Sequence, residues 1–412
     1  MASSSGNATA PVSTGGLVQL ARRGLQDIVA IRHDLHAHPE LGFEEVRTSA
    51  LVAAKLAEWG VTDVASLGGT GLVATIRGTR PGDRVVGLRA DMDALALTEQ
   101  NGYSYSSQTP GKMHACGHDG HTSMLLGAAR LLAADPNFAG TVRLIFQPAE
   151  EGLGGAQKML DEGLFERYHC DRIFGMHSAP QMEIGEFGTM TGPMMAASGR
   201  WTVEFLGAGG HGGAGPHLTQ DLTVVAAGYI QALQAVVARN VSAFEPAIIS
   251  VGHLQAGSPA ALNVMPSKLT LGGTMRAFSD EVQALLESRI RELAEAHAAA
   301  MGAEAKADLW WNTVPTVTEA AATESAVLAV RQLGADVPID AEVAPSTGGE
   351  DFSFMLQQRP GNFMWLGNGA HSGPGGGQLH TPLYDFSDEA LPWGMAYWLS
   401  VVNTELDGRL GA

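Results

Sequence analysis

The chain has 412 residues, 45% hydrophobic and 17% charged, a composition typical of a folded protein with roughly two or three domains. Lysine and arginine number 25 against 43 aspartate and glutamate residues, so the formal net charge is −18. So acidic a surface repels phosphate groups, and we expect neither a nucleic-acid partner nor binding to an anionic membrane. Two cysteines are too few for a disulfide framework. We see no signal-like N-terminus and no apolar run long enough for a membrane span, which favours a cytoplasmic protein.

The first part of the chain predicts helices alternating with strands. Residues 1–16 are small and polar and predict a disordered leader. An amphipathic helix is expected from 17 to about 38, where a proline follows, and another over 44–59. Beyond them we predict strands at 71–77, 84–89, 141–147 and 171–176, and helices at 122–134 and 154–161. This alternation is typical of an α/β sandwich with a largely parallel sheet.

After Gly185 the pattern changes. It predicts, in order, a strand at 201–206, a helix at 222–237, strands at 248–253 and 268–275, a helix at 280–300 and a strand at 309–314. Strand–helix–strand–strand–helix–strand is the order of a small ferredoxin-like domain. A helix at 324–333 and a strand at 362–366 then resume the alternation. We therefore expect an α/β domain made of 17–192 and 315–412, interrupted by an α+β domain at 193–314.

The segment Met113–His121 (MHACGHDGH) concentrates groups that bind metal ions. It holds three histidines, a thiol and a carboxylate within nine residues. Imidazole, thiolate and carboxylate are the ligands that zinc prefers. The alternative is a polar loop whose histidines only cap the following helix.

Further candidate ligands stand near the ends of predicted strands. They are Asp91 and Asp93 after 84–89, Glu150 and Glu151 after 141–147, His177 after 171–176, and, far along the chain, His380. Ligands of α/β sheets bind beyond the carboxyl ends of strands, so most of these side chains should meet at one edge. Each alone has an ordinary explanation, since acidic residues form turns and single histidines are often structural.

The two adjacent glutamates suggest a division of labour. Neighbouring side chains on extended backbone point in opposite directions, so one carboxylate can bind metal while the other faces a water molecule. Two close cations lower the pKa of a shared water towards 7 and stabilise a developing oxyanion. One of the glutamates would then be the general base. The sequence thus favours a two-metal hydrolytic centre.

With these residues in place, the sequence resembles the aminoacylase and carboxypeptidase-G type of di-metal amidohydrolases. Within that family it is most similar to the subgroup of hippurate hydrolases, N-acyl-L-amino-acid amidohydrolases and auxin-conjugate (IAA-amino acid) hydrolases. The resemblance runs from about Arg32 to Trp393. It is carried by RHDLHAHPELGFEE (32–45), LRADMDAL (88–95), MHACGHDGH (113–121), GTVRLIFQPAEEG (140–152), GAGGHGG (207–213), NVMPSKLTLGGTMR (263–276), GGEDFSFM (348–355) and LHTPLYDF (379–386).

The resemblance implies a fold and a role for each site residue. The α/β domain would be the family's α/β/α sandwich, and the inserted domain its lid and dimerisation module. The implied metal ligands are Cys116 as the bridge, with His118, Glu151, His177 and His380. Glu150 would be the general acid/base. Asp91 would orient a ligand imidazole, and Arg89 stands where the wider family has another imidazole.

Three further roles fall in the inserted domain. By the same resemblance, His211 would reach the partner subunit's site and stabilise the tetrahedral oxyanion. Asn263 and Arg276 would hold the carboxylate of the substrate.

The expected protein is a metal-dependent amidohydrolase that cleaves N-acyl-L-amino acids. We expect it to be a homodimer or higher homo-oligomer formed through the inserted domain, with two divalent ions per subunit. Zinc is favoured by the cysteine, although such sites also accept manganese, cobalt or nickel. The alternatives are a dipeptidase or carboxypeptidase of the same family and a non-catalytic metal-binding interaction protein on the same fold. A zinc nucleobase deaminase needs an additional cysteine pair that two cysteines cannot supply.

Overall fold

The computed structural model describes residues 15–369 and 377–411. They form two compact units, one of 15–192, 318–343 and 355–411, the other of 193–317 and 344–354. The predicted leader lies outside the described residues except for Gly15 and Gly16, and Gly16 begins the first helix.

The expected assignment of 315–412 to the first domain differs from these units at 315–317 and at one further segment. Residues 344–354 pack with the second unit. Ser346 bridges Met195 in parallel, and the guanidinium of Arg276 donates through Nε to the carbonyl of Thr347 at 2.9 Å. No periodic pattern marks this short segment, so its return to the second unit was not predicted.

The first unit opens with helices and then builds a sheet. Its elements are α1 (Gly16–Arg22), α2 (Leu25–Ala37), α3 (Val46–Glu58), β1 (Val64–Leu67), β2 (Gly71–Arg77), β3 (Arg80–Asp91), α4 (His118–Ala134), β4 (Ala139–Gln147), α5 (Gly155–Asp161), α6 (Leu164–Arg167), β5 (Arg172–Ala179) and β6 (Phe187–Gly188). The helix predicted at 17–38 is two helices, because Gly24 takes a left-handed conformation at φ 69° and turns the chain.

The second unit and the rest of the first follow. They contain β7 (Gly192–Met195), β8 (Ala197–Leu206), β9 (Gly210–His211), a 3₁₀ turn (Pro216–Leu218), α7 (Leu222–Asn240), β10 (Ala247–Ala256), β11 (Val264–Met265), β12 (Lys268–Ala277), α8 (Asp280–Ala300), β13 (Glu304–Trp311), β14 (Thr316–Thr318), α9 (Ala320–Arg331), β15 (Ile339–Asp340), α10 (Phe352–Gln358), β16 (Gly361–Gly367) and α11 (Leu391–Glu405).

The first unit is built on an eight-stranded sheet in the order β1-β2-β4-β3-β5-β16-β6-β15. Its four central strands, β4, β3, β5 and β16, are parallel. β1 and β2 pair antiparallel with their neighbours, and β6 is antiparallel to β16 but parallel to β15. Six successive residues of β3, 86–91, are buried, so both faces of the sheet are covered. The predicted α/β class is confirmed, and the parallel pairing holds for the centre of the sheet.

The second unit contains a four-stranded antiparallel sheet in the order β10-β12-β8-β13. Alternate residues of β8, namely Trp201, Val203 and Phe205, share one hydrophobic core with α7 and α8. The chain order β-α-β-β-α-β with this strand order is the ferredoxin-like arrangement that the sequence predicts.

One helix of the second unit has an unusually apolar composition. By length and composition alone α7 could cross a membrane, since an 18-residue window has a mean hydropathy of 1.3. Its buried residues recur at helical spacing, from Leu222 through Tyr229 to Val236, and pack in the core of the unit. Only 33% of that window is buried, and the exposed positions carry Val224 and alanines together with polar residues such as Gln231 and Gln234.

Candidate metal centre

Three neighbouring parallel strands bring the predicted acidic and histidine side chains together. β3 ends at Asp91, β4 ends three residues before Glu150, and β5 carries His177 near its end. Because β4, β3 and β5 are adjacent and parallel, their carboxyl ends lie at the same edge of the sheet. The predicted gathering of these residues at one edge is what the structure shows.

The cysteine and the first histidine sit at the start of α4. This helix begins at His118, four residues before the predicted Thr122. Gly117 stands at its N-cap with φ 88°, a conformation that costs glycine little. A Cβ at this position would lie 2.5 Å from the hydroxyl of Tyr384, so the close packing also requires glycine. The turn places Cys116 immediately before the helix and His118 in its first position.

Cys116 lies between two imidazoles. Its Sγ is 3.3 Å from Nε2 of His177 and 3.3 Å from Nε2 of His380. The latter nitrogen is also 3.2 Å from Oε1 of Glu151. The ligand atoms of two triads, Cys116–His118–His177 and Cys116–Glu151–His380, each lie within 4.8 Å of one another. The two triads share the thiol, as a bridging ligand requires.

The donor atoms fit divalent cations. Tetrahedral zinc with N, O and S ligands at 2.0–2.3 Å places its donors roughly 3.3–3.8 Å apart, close to the separations measured around Cys116. Nδ1 of the buried His118 lies 3.3 Å from Oδ1 of Asp93, but its Nε2 lacks a hydrogen bond among the described residues. A buried polar group without a partner is costly unless something else binds it. A metal ion accounts for that histidine.

Ser178 fixes the protonation of two histidine rings. Nδ1 of His177 donates to the carbonyl of Ser178 at 2.8 Å, so its Nε2 carries the free lone pair and faces the thiol of Cys116. The N–H of Ser178 donates to Nε2 of His121 at 2.9 Å. His121 must therefore carry its proton on Nδ1, which lies 2.7 Å from Oδ1 of Asp91. With both nitrogens engaged, His121 is not a ligand, although it belongs to the same motif.

Asp91 is tied to this imidazole and to an arginine. Its Oδ2 accepts from Nη1 of Arg89 at 2.8 Å and lies 3.8 Å from Nε2 of His118. Arg89, where the wider family has an imidazole, thus orients the aspartate. Burial alone would raise the pKa of Asp91, but His118 and Arg89 hold it well below its usual value. Asp91 is therefore ionised, and the imidazole that donates a hydrogen bond to it is that of His121.

The carboxylates set the charge of the centre. Burial, and then the charges of Glu151 and Glu150, raise the pKa of the Cys116 thiol well above its usual value. The pKa of His118 rises to about 10, because Asp91 and Asp93 outweigh its burial. Excess negative charge around a buried thiol favours the arrival of cations, which would deprotonate it.

Two buried carboxylates bind the backbone at the paired glutamates and at the residue before them. Neither carboxylate was assigned a role from the sequence. Asp93 accepts the N–H groups of Glu150 and Glu151, both at 3.0 Å. Glu45 accepts the N–H of Ala149 at 2.8 Å. In the sequence, Asp93 is marked only by its position two residues after Asp91. That position is equally typical of an acidic residue in a turn, so it did not predict the contact with the glutamate backbone.

The remaining predicted residues belong to the second unit. β9 pairs with β11, so His211 lies opposite Val264 and beside Asn263. Nδ1 of His211 accepts the N–H groups of Gly213 and Ala214 at 3.1 and 3.0 Å, so the proton must reside on Nε2. The ring is exposed and can donate through Nε2.

Arg276 stands near the end of β12 and is held by the backbone. Its Nη1 donates to the carbonyl of Met275 at 2.9 Å, in addition to the contact of Nε with Thr347. No carboxylate pairs with it among the described residues. Burial and the neighbouring Arg200 lower its pKa. The structural ion pair that would compete with substrate binding is therefore absent from the described part of the chain.

Comparisons with known proteins agree with this geometry. The model of peptidase family M20/M25/M40 matches residues 87–404. The chain is 38% identical to a hippurate hydrolase of Campylobacter jejuni, over 89% of this chain and 94% of that protein. It is also 38% identical to the IAA-amino acid hydrolase ILR1-like 4 of Arabidopsis thaliana, over 92% of this chain and 86% of that one.

A solved structure shares the complete fold. The Bacillus subtilis YxeP protein, described as a dinuclear metal-binding peptidase of the M20 family, superimposes with a TM-score of 0.80 at 32% identity. The match covers 94% of this chain and all of that one.

Proposed function

This chain belongs to peptidase family M20/M25/M40, and we propose that it hydrolyses the amide bond of N-acyl-L-amino acids. The observation that carries the proposal is the thiol of Cys116 shared by two ligand triads beside Glu150. The names of the two relatives, hippurate hydrolase and IAA-amino acid hydrolase, support an acyl group on an amino acid as the substrate class.

The residues of the centre have distinct proposed roles as metal ligands and as general base. We assign Cys116 to both ions, His118 and His177 to one, and Glu151 and His380 to the other. When bound, such a pair of ions activates a water molecule and polarises a carbonyl oxygen. Glu150 is assigned as general base: it takes the proton of the attacking water and passes it to the leaving nitrogen of the amino acid.

The second unit supplies recognition in this proposal. Arg276 and Asn263 hold the free carboxylate of the substrate through the guanidinium fork and the side-chain amide. His211, with its proton on Nε2, donates to the oxyanion that forms on the amide carbon.

The native metal is proposed to be zinc. Thiolate and imidazole ligands favour zinc over magnesium or calcium, while manganese, cobalt and nickel can occupy the same donors. We place the protein in the cytoplasm because a free thiol ligand needs reducing conditions.

We further propose a homodimer formed through the second unit. β10 is an edge strand of its sheet, and α7 exposes Val224. Nearby loops expose Phe244 at 97% and Leu262 at 90%. Apolar surface beside an unpaired strand edge is typical of a surface covered by a second copy.

The paired glutamates provide the test. Glu150→Gln should retain metal and lose roughly 10²–10⁴ in kcat, as expected when a general base is removed. Glu151→Ala should instead lower the metal content of the purified protein. Elemental analysis and turnover of N-benzoyl- and N-acetyl-L-amino acids measure the two effects, with the exposed Glu166→Gln as the control.

Two results would contradict the assignment. Full metal and full activity in both variants would remove the roles of Glu150 and Glu151. Turnover of free dipeptides, with none of N-acyl-amino acids, would favour the dipeptidase alternative.

A further inference from the structure

Asp93 makes an unusual contact with the backbone that carries the base and a ligand. It lies two residues beyond the end of β3 and is buried. Its two oxygens are divided between two consecutive N–H groups, Oδ1 accepting from Glu150 and Oδ2 from Glu151, each at 3.0 Å. The carboxylate therefore fixes both residues by their main chain and leaves their side chains available for the site.

The backbone that it holds is strained. Ala149 has φ 51°, in the left-handed region that residues with a Cβ avoid. Its own N–H donates to Glu45, so three consecutive N–H groups, those of 149, 150 and 151, point at two buried carboxylates. Successive N–H groups around a left-handed residue form a concavity that binds anions. Here the anions are side chains of the protein, and they stabilise a turn that alanine does not prefer.

The same carboxylate also reaches a ligand ring. Oδ1 of Asp93 lies 3.3 Å from Nδ1 of His118. One side chain thus touches the backbone of the assigned base, the backbone of a ligand of one ion and the imidazole ligand of the other. A residue that only stabilised its own turn would not be expected to contact both backbone N–H groups and the imidazole.

We propose that Asp93 is a positioning residue: it holds the left-handed turn at Ala149 and so aims Glu150 and Glu151 at the metal centre, while orienting the ring of His118. The inference rests on the proposed roles of Glu150, Glu151 and His118. Groups that orient metal ligands affect metal affinity as well as turnover, which makes the role measurable apart from activity.

The test replaces Asp93 by an isosteric amide. In Asp93→Asn one oxygen can still accept, but the NH₂ group meets the second N–H and the turn loses half of its support. We expect zinc affinity, measured against a chromophoric chelator, to fall by about 10–100-fold. At saturating zinc, kcat should fall by on the order of 10²-fold, the effect of misplacing a catalytic group, with little change in KM.

The chain offers a matched control. Glu319 clamps two consecutive N–H groups in the same way at the start of α9, those of Ala321 and Ala322, at 3.0 and 2.8 Å. Glu319→Gln should lower the unfolding temperature and leave zinc affinity and kcat unchanged. Adding Ala149→Gly to Asp93→Asn should restore part of the lost affinity and kcat, because glycine adopts the left-handed turn without support.

The outcomes separate this inference from the proposed function. A wild-type protein that binds no zinc and hydrolyses no N-acyl-amino acid would count against the proposed function. An active wild type with an indistinguishable Asp93→Asn would overturn the positioning role alone. No recovery with Ala149→Gly would show that Asp93 does not act through the turn. Should Asp93→Asn not fold, Asp93→Ser, smaller and with one acceptor, enters the same titration and is judged in the same way.

Discussion

Single side chains of the centre are controlled largely by atoms that are not ligands. Ser178 decides the protonation of His177 and His121 through its carbonyl and N–H. His118 and Arg89, which donates to Asp91 at 2.8 Å, together hold the pKa of Asp91 low. The contacts of Ser178 are made by its backbone atoms, and the one with His121 joins residues far apart in sequence. This is why the motif letters alone could not distinguish the ligand His118 from the engaged His121.

The ligand types themselves were predictable, because few residue combinations serve a two-ion site. Cysteine, histidine and glutamate near strand ends pointed to Cys116, the glutamate pair and His177, with the distant His380 as a further candidate. The resemblance then assigned Glu151, rather than Glu150, as the metal ligand. Asp93 could not be assigned, since an acidic residue after a strand is also typical of a turn. Its proposed role depends on the left-handed φ angle of Ala149, which no sequence pattern predicts.

Arg276 gives a prediction at this scale. A charge-assisted hydrogen bond contributes about 1.5–3 kcal/mol, which corresponds to roughly ten- to 150-fold in rate or affinity. Arg276→Ala should therefore reduce kcat/KM for an N-acyl-amino acid by at least tenfold. The wild type should prefer the free acid over its amide or methyl ester, and the variant should lose most of that preference. Equal wild-type rates on the free acid and on its amide would mean that the enzyme does not recognise the substrate carboxylate.

Among the elements, α4 is the one on which the centre depends. Its first residue is His118, and the next, Asp119, accepts from Nε of Arg32 at 3.0 Å and contacts Nδ1 of His36 at 2.8 Å. Arg32 and His36 lie on α2, four residues apart and buried. The ion pairs join α2 to the first turn of α4 and hold the start of the helix in place.

The His36–Asp119 pair makes stability depend on pH. Burial alone would lower the pKa of His36, but the charge of Asp119 raises it from 6.5 to about 9. A folded pKa above the unfolded value stabilises the protein fully below pH 6.5, and this stabilisation is lost as the pH rises through about 9. The difference corresponds to on the order of 3 kcal/mol as an upper bound.

Thermal unfolding of wild type and His36→Gln between pH 6 and 10 measures this effect. The unfolding temperature of the wild type should fall more steeply above pH 6.5 than that of the variant, because other titrating groups are common to both. Parallel curves would show that His36 is not protonated in the folded protein.

Amphipathic helices and short apolar runs were predicted well, whereas a fully buried helix and very short strands were missed. The pattern placed α8 at 280–300 and β2 at 71–77, as the structure has them. It did not reveal α11, because twelve successive residues, 391–402, are all buried and leave no polar face to set a period. Strands of two residues, such as β9 and β15, are also too short to carry a pattern.

At the scale of the whole molecule, the chain interrupts one unit with another. The first crossing, at 192–193, lies a few residues after Gly185, where the helix–strand alternation of the sequence stops. The return of 344–354 depends on contacts across about 150 residues, such as Ser346 with Met195, and no local pattern encodes them. The second unit exposes Phe244, Leu262 and His211. The proposed dimer would account for this exposure.

The proposed dimer leads to a prediction about complementation. If His211 serves the site of the partner subunit, homodimers of His211→Ala and of Glu150→Gln should each be poorly active. Coexpression should give mixed dimers in which one site has both an intact Glu150 and an intact His211, while the other has neither. With differently tagged chains, purified mixed dimers should recover up to about half of the wild-type kcat, since one of two sites works.

The matched control mixes wild type with the double variant, which distributes one working residue to each site and should stay nearly inactive. Mixed dimers of the single variants that recover nothing would place His211 at the site of its own subunit or remove it from the reaction.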